Sequence, residues 1–173
     1  MKELSCIPNR IMIFGRPGSG KSTFALHLSK TTNLPLDHLD KYFFTKNWAE
    51  RDTQEFLEIQ QSIVDRDTWI IDGNSIKSLE MRYSRANLVL HFNYSRWICY
   101  FRVFKRMFHK NPEIDDRAED CPEKISWKLL KYMWSYKQRV SAPITYLRKK
   151  YPRVPFLEIR NNKNLLELKK ILT

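Results

Sequence analysis

The chain has 173 residues, 42% hydrophobic and 13% aromatic, enough apolar side chain for the core of one domain over residues 1–173. Its longest apolar run, Leu88 to Phe92, is far short of the ~20 residues of a membrane span, no signal-peptide stretch opens it, and Cys6, Cys99 and Cys121 have no metal-type spacing, so a cytoplasmic protein without membrane contact, disulfide framework or zinc site is expected. The net charge of +12 is uneven: residues 1–80 hold 10 Lys/Arg against 11 Asp/Glu, a net of −1, and residues 81–173 hold 21 against 8, a net of +13, which suits nucleotide phosphates or a nucleic-acid backbone.

Arg10 to Phe14 reads as a buried strand, followed by a glycine-rich loop and a helix over Lys21 to Lys30, where Phe24 and Leu28 repeat at helical spacing. Leu34 to Leu39 is a second strand, and Thr53 to Asp65 a helix with Phe56, Ile59, Gln60 and Ile63 on one face. Thr68 to Asp72 and Leu88 to Phe92 are strands on either side of a short helix, Ile76 to Arg85. Ser95 to His109 is a helix that puts Trp97, Phe101, Phe104 and Phe108 on one face, expected to pack inward, and Arg102 and Arg106 one turn apart, expected to reach outward. Asn111 to Glu123 is rich in acid and lacks periodicity; it predicts a lid-type excursion, placed at about 106–135, before a helix over Pro122 to Arg139. Val154 to Ile159 and Asn164 to Leu172 close the chain as strand and helix. Strands buried on both faces and alternating with helices predict an α/β fold of three layers around a parallel sheet.

The chemistry concentrates in Gly15-Arg16-Pro17-Gly18-Ser19-Gly20-Lys21-Ser22, which matches Gly-x-x-x-x-Gly-Lys-[Ser/Thr] between a strand and a helix. Backbone N–H groups of such a loop curl around phosphate oxygens, and the helix directs its positive end at the same charge. Gly15 to Ser22 with Thr23 therefore form the expected ATP site; Lys21 would reach the β/γ-phosphates and the Ser22 hydroxyl would ligate Mg2+. Asp72, in Trp69-Ile70-Ile71-Asp72-Gly73-Asn74, ends a strand beside that loop and is the second expected magnesium residue. Asp40, with Asp37 and His38 behind it, is the expected proton acceptor and substrate contact. Phe43 and Trp48 would line an acceptor pocket, and Asn74 and Arg82 would contact the acceptor. Arg102 and Arg106 would stabilise the transferred phosphoryl group, with Arg117 and Arg139 as further cations from the lid region, Arg139 toward the nucleotide.

These pieces together resemble the adenylate-kinase-like P-loop proteins of the DNA topology-modulation (FlaR-type) family. The likeness rests on Ile11 to Thr23, His38-Leu39-Asp40-Lys41, Trp69 to Asn74, Arg82 with Arg85-Ala86, Arg96 with Cys99 and Arg102, and Cys121-Pro122-Glu123-Lys124 before Trp127. It implies a P-loop fold of the nucleoside- and nucleotide-kinase type, with five parallel strands in the order 2-3-1-4-5 and a small helical lid after the fourth. It departs where the family's strand-terminal Asp is replaced by Asn93, which would move more of any magnesium binding to Asp72. The reading that follows is a Mg2+-dependent transfer of the ATP γ-phosphoryl to a small hydroxyl or phosphate acceptor, a nucleoside or nucleotide favoured. A nucleotide-dependent, nucleic-acid-associated regulator is the alternative; a GTP switch is disfavoured because Asn162-Lys163-Asn164-Leu165 lacks the guanine-reading Asp. Monomer and dimer are both left open.

Overall fold

Five short hydrophobic runs carry the architecture. In the computed structural model, which describes residues 8–108 and 125–172, they become β1 (Arg10–Gly15), β2 (Leu36–His38), β3 (Trp69–Asp72), β4 (Leu88–Phe92) and β5 (Phe156–Ile159). The strands pair in parallel in the order β2-β3-β1-β4-β5. Alternation along each strand splits the core in two. Ile11, Ile13, Ile70, Leu88 and Leu90 point to one face, where they meet Phe24, Ala25 and Leu28 of α1 (Lys21–Thr32), Cys99 and Val103 of α5 (Arg96–Phe108) and Leu168 of α7 (Asn162–Leu172). Met12, Phe14, Ile71 and Val89 point to the other, against Phe56 and Ile63 of α3 (Thr53–Val64), Leu79 and Tyr83 of α4 (Leu79–Arg85), and Tyr136, Val140 and Ile144 of α6 (Trp127–Lys150). The short α2 (Leu39–Phe43) follows β2 without a loop.

Three elements differ from the sequence reading. The second strand is shorter than Leu34 to Leu39 because Leu39 opens α2 and is buried against Gly73. The helix expected to stop at Arg139 runs on to Lys150, through Pro143. Val140, Ile144 and Leu147 continue one buried stripe across the proline, and that burial outweighs the one backbone hydrogen bond it removes.

The third correction concerns α5. Its aromatic face points to solvent, with Trp97 and Phe101 each 68% exposed and Phe108 80% exposed, while the smaller Cys99 and Val103 are buried. The reason lies in the glycine loop: a Cβ on Gly18 would sit 2.4 Å from the Cys99 carbonyl oxygen and 2.7 Å from Val103. Only a narrow helix face and a residue without a side chain fit there. The excursion over Asn111 to Glu123, its Arg117, and the Cys121 to Lys124 segment lie outside the described residues, as does Cys6.

Candidate functional site

The site forms where β1, β2 and β3 end. His38 and Asp72 pair at the ends of β2 and β3, and Asp72 pairs with Ile13, two residues before β1 ends at Gly15. The glycine loop then turns from β1 into α1 through Gly18 (φ 78°) and Gly20 (φ 90°), conformations that side-chain-bearing residues rarely adopt. Gly20 caps α1 without a side chain, and no acidic residue occupies the first turn. The N-terminal N–H groups and the positive helix end are therefore left to an outside anion. The buried Ser19 hydroxyl has no hydrogen-bond partner among the described residues.

Lys21, Asp72 and His38 form the charged centre. Lys21 Nζ lies 3.2 Å from Asp72 Oδ1 and donates to Ser22 Oγ at 3.2 Å. His38 Nδ1 lies 2.9 Å from Asp72 Oδ2. Burial raises the Asp72 carboxyl, but the Lys21 ammonium and His38 outweigh it and bring the carboxyl down to about 2. As a carboxylate it accepts from His38 Nδ1–H, which fixes the imidazole's orientation. Asp72 Oδ1, 3.2 Å from Lys21 Nζ, has no hydrogen bond of good geometry among the described residues, and the Ser22 hydroxyl is close enough to help hold the carboxyl ionised. These are the hard oxygen donors that magnesium takes when phosphates and waters fill its other positions. No group of three or more His, Cys, Asp or Glu side chains among the described residues forms a self-sufficient metal cage.

The other expected residues sort by what they touch. Arg102 is half-buried over the Tyr94 ring, 4.6 Å from its centroid, and donates through Nη1 to Ser19 O at 3.0 Å, so it lies on the glycine loop rather than outward. Arg106 is half-buried one turn further along α5. Asp40 is exposed in the first turn of α2. Asp37 instead holds the Tyr42 hydroxyl at 2.6 Å and Arg66 at 3.1 Å. Phe43 packs edge-on against Phe56, and Trp48, at φ 63°, against Phe44. Thr23 is exposed, and Arg139 is exposed with its guanidinium 5.7 Å from the Tyr132 ring centroid.

Two expected acceptor contacts are corrected. Arg82, read as an acceptor contact, is wholly buried and donates to Gly73 O, Ser75 O and Ser78 O, so it holds the turn between β3 and α4. Asn74 Oδ1 accepts from the Gly15 N–H at 3.0 Å and ties that same turn to the start of the loop. The Arg16 side chain is buried and donates to Met133 O and Tyr94 O, so the expected nucleotide contact would be made by its backbone N–H. Asn93 donates to Glu158 at 2.6 Å on β5.

Tyr132 is the residue the sequence reading missed. Burial, and then the charge of Asp40, push its phenol up to about 12, with Lys21, Arg139 and Arg82 opposing. It therefore stands within electrostatic reach of the central residues. Nothing in the string marked it, because a tyrosine in a helix with buried neighbours reads as core.

No family model matches the chain, and no curated protein does. Among solved structures it is similar to the shikimate kinase of Bacteroides thetaiotaomicron, with a TM-score of 0.55 at 14% identity over 95% of this chain and 98% of that one. At this identity the likeness establishes a shared fold.

Proposed function

We propose that the protein is an ATP-dependent small-molecule kinase that moves the γ-phosphoryl group to a hydroxyl of a small acceptor. The observation that carries this reading is the uncapped start of α1 beside the buried Lys21–Asp72–His38 cluster. A ligand bringing phosphate oxygens to that helix end would satisfy its N–H groups and share the Lys21 ammonium with Asp72. In the transfer, the acceptor oxygen bonds to the γ-phosphorus as the bond to the β–γ bridging oxygen breaks. The acceptor proton passes to the exposed Asp40 carboxylate, and ADP departs. Arg102, already seated on the loop through Ser19 O, supplies a cation beside the phosphates. Magnesium, held by Ser22 and Asp72, would supply neutralisation of the phosphate charge.

Nucleosides and nucleotides are the favoured acceptors, because Phe43, Phe44 and Trp48 gather aromatic rings directly after Asp40. Small hydroxy acids, shikimate included, belong in the same screen because of the shared fold. The test is ATP consumption over a panel of nucleosides, nucleotides, sugars and hydroxy acids. One acceptor is expected to stimulate turnover in the wild type and to lose that stimulation by at least ~10²-fold in Lys21→Ala. A wild type that no acceptor stimulates would remove the kinase reading.

The exposed face of α5 favours a second reading. Trp97, Phe101, Phe104 and Phe108 alternate there with Arg96 and Lys105, the combination of rings and cations on which single-stranded nucleic acid stacks. Binding of an oligonucleotide that falls steeply with salt and is lost in Trp97→Ala/Phe101→Ala would support it; no binding at low salt would eliminate it.

A further inference from the structure

A second cationic site lies on the other side of the turn between β4 and α5 from the glycine loop. A groove of about 610 Å³ opens there between α6 and the ends of β4 and β5, within the size range of small-molecule sites. Its cations come from four segments of chain: Arg16 from the glycine loop, Arg96 from α5, Lys137 and Arg148 from α6, and Arg160 after β5. Glu158 is the one carboxylate on its lining among the described residues, and it is already bound to Asn93 and Arg160. The groove thus concentrates positive charge, and one face is walled by protein of low polarisability.

Most of this charge is unanswered among the described residues. The guanidinium carbon of Arg96 lies over the Trp134 ring, 4.4 Å from its centroid, and that of Arg148 over the Phe156 ring at 4.7 Å. Neither they nor Lys137 has a side-chain hydrogen bond or ion pair among the described residues. A guanidinium over a ring face gives up none of its N–H groups to that contact, so they are available to an oxyanion. At the floor, Arg16 is buried with two of its N–H groups fixed on the Met133 and Tyr94 carbonyls. His91, 5% exposed, lines the same groove, and its Nε2 has no hydrogen-bond partner among the described residues. A buried polar atom without a partner is costly, and here it borders a cavity that a ligand can fill. Its ring is held in place by stacking on Phe14, with centroids 4.7 Å apart.

We propose that this groove is a binding site for a small phosphorylated polyanion, separate from the glycine loop. The cations stand around a cavity rather than along a line, which fits a compact ligand with two or more anionic groups better than a single carboxylate. The site shares Arg16 with the glycine loop, but that side chain is fixed on Met133 O and Tyr94 O, and no lining side chain takes part in the transfer described above, so the site does not depend on the kinase reading.

The probe is inorganic pyrophosphate, titrated calorimetrically into the full chain after the glycine loop has been saturated with a non-hydrolysable ATP analogue. One further equivalent is expected to bind, with affinity falling at least tenfold in Lys137→Gln/Arg148→Gln while binding of the ATP analogue is unchanged. In parallel, the nitrogen-15 shift of His91 Nε2 is expected to move on saturation in the wild type, a readout that needs no variant. Pyrophosphate that binds only in competition with the ATP analogue would overturn the proposal, because the glycine loop would then be its sole site. So would second-site binding indifferent to the double substitution with His91 unmoved. Binding of a single-stranded oligonucleotide at these residues with none of pyrophosphate would assign the groove to nucleic acid instead. A dead enzyme in the ATP screen would leave each of these results readable.

Discussion

Arg82 is wholly buried, and its guanidinium is spent on three backbone carbonyls of the turn that follows Asp72. Burial pulls its pKa down to about 10, with the Asp72 charge pushing the other way. Replacing it with Ala strands buried carbonyl groups and leaves a cavity under the strand end that carries Asp72. Arg82→Ala is expected to cost about 3–5 kcal/mol in urea unfolding. Arg82→Lys should restore little, since one ammonium cannot span the three acceptors; a loss under about 1 kcal/mol for the Ala variant would show that the turn holds itself. Sequence reasoning gave this arginine to the acceptor because full burial is rare for its type, and only the folded turn shows where its partners lie. The glycine loop was legible for the opposite reason. Its donors, cation and hydroxyl are contiguous, so no long-range contact has to be guessed.

A helix's periodicity tells which residues share a face, and α5 shows that it does not tell which face turns inward. The four large aromatics looked like the core stripe, yet the backbone of Cys99 is where Gly18 approaches, and that close approach selects the narrow side. The length of α6 was misjudged on similar grounds. Its buried positions repeat beyond Arg139, but Pro143 reads locally as a stop. The folded helix carries that proline at a cost, since Pro143 offers no N–H to the turn before it. Pro143→Ala is therefore expected to stabilise the protein by roughly 1–3 kcal/mol, with a rise in Tm of several degrees for a chain of this size. An unchanged or lower Tm would mean that the proline's bend is needed to lay Ile144 and Leu147 on the sheet.

Across the whole molecule, two buried groups set how stability responds to acid. The five apolar runs and their two-sided burial were readable from the string, and with them the parallel sheet; the charges trapped between its layers were not, because burial of a single His or Asp follows from neighbours distant in sequence. His91 sits between the Phe14, Phe156 and Tyr136 rings. Burial brings its pKa down to about 4, Glu158 on β5 opposing and Arg16 and Arg160 reinforcing. The folded chain thus keeps His91 neutral while the unfolded chain takes up a proton near its ordinary value of 6.5. His91 consequently contributes stability that is present above about pH 6.5 and is lost as the pH falls toward 4, amounting to at most ~3 kcal/mol. Asp72 acts lower: its pKa of about 2 against the ordinary 3.8 means that its contribution, present above about pH 4, disappears only as the pH falls toward 2. Urea unfolding measured from pH 7 to pH 3 should show a first decline between 6.5 and 4 that His91→Phe abolishes, since a phenyl ring keeps the stacking on Phe14 and takes no proton. A further loss should set in below about pH 4 in both proteins. A wild-type profile flat from pH 7 to 4 would show that His91 binds its proton as readily in the fold as out of it, which requires Glu158 to close the 3.7 Å that separates it from Nδ1 and pair with the imidazolium.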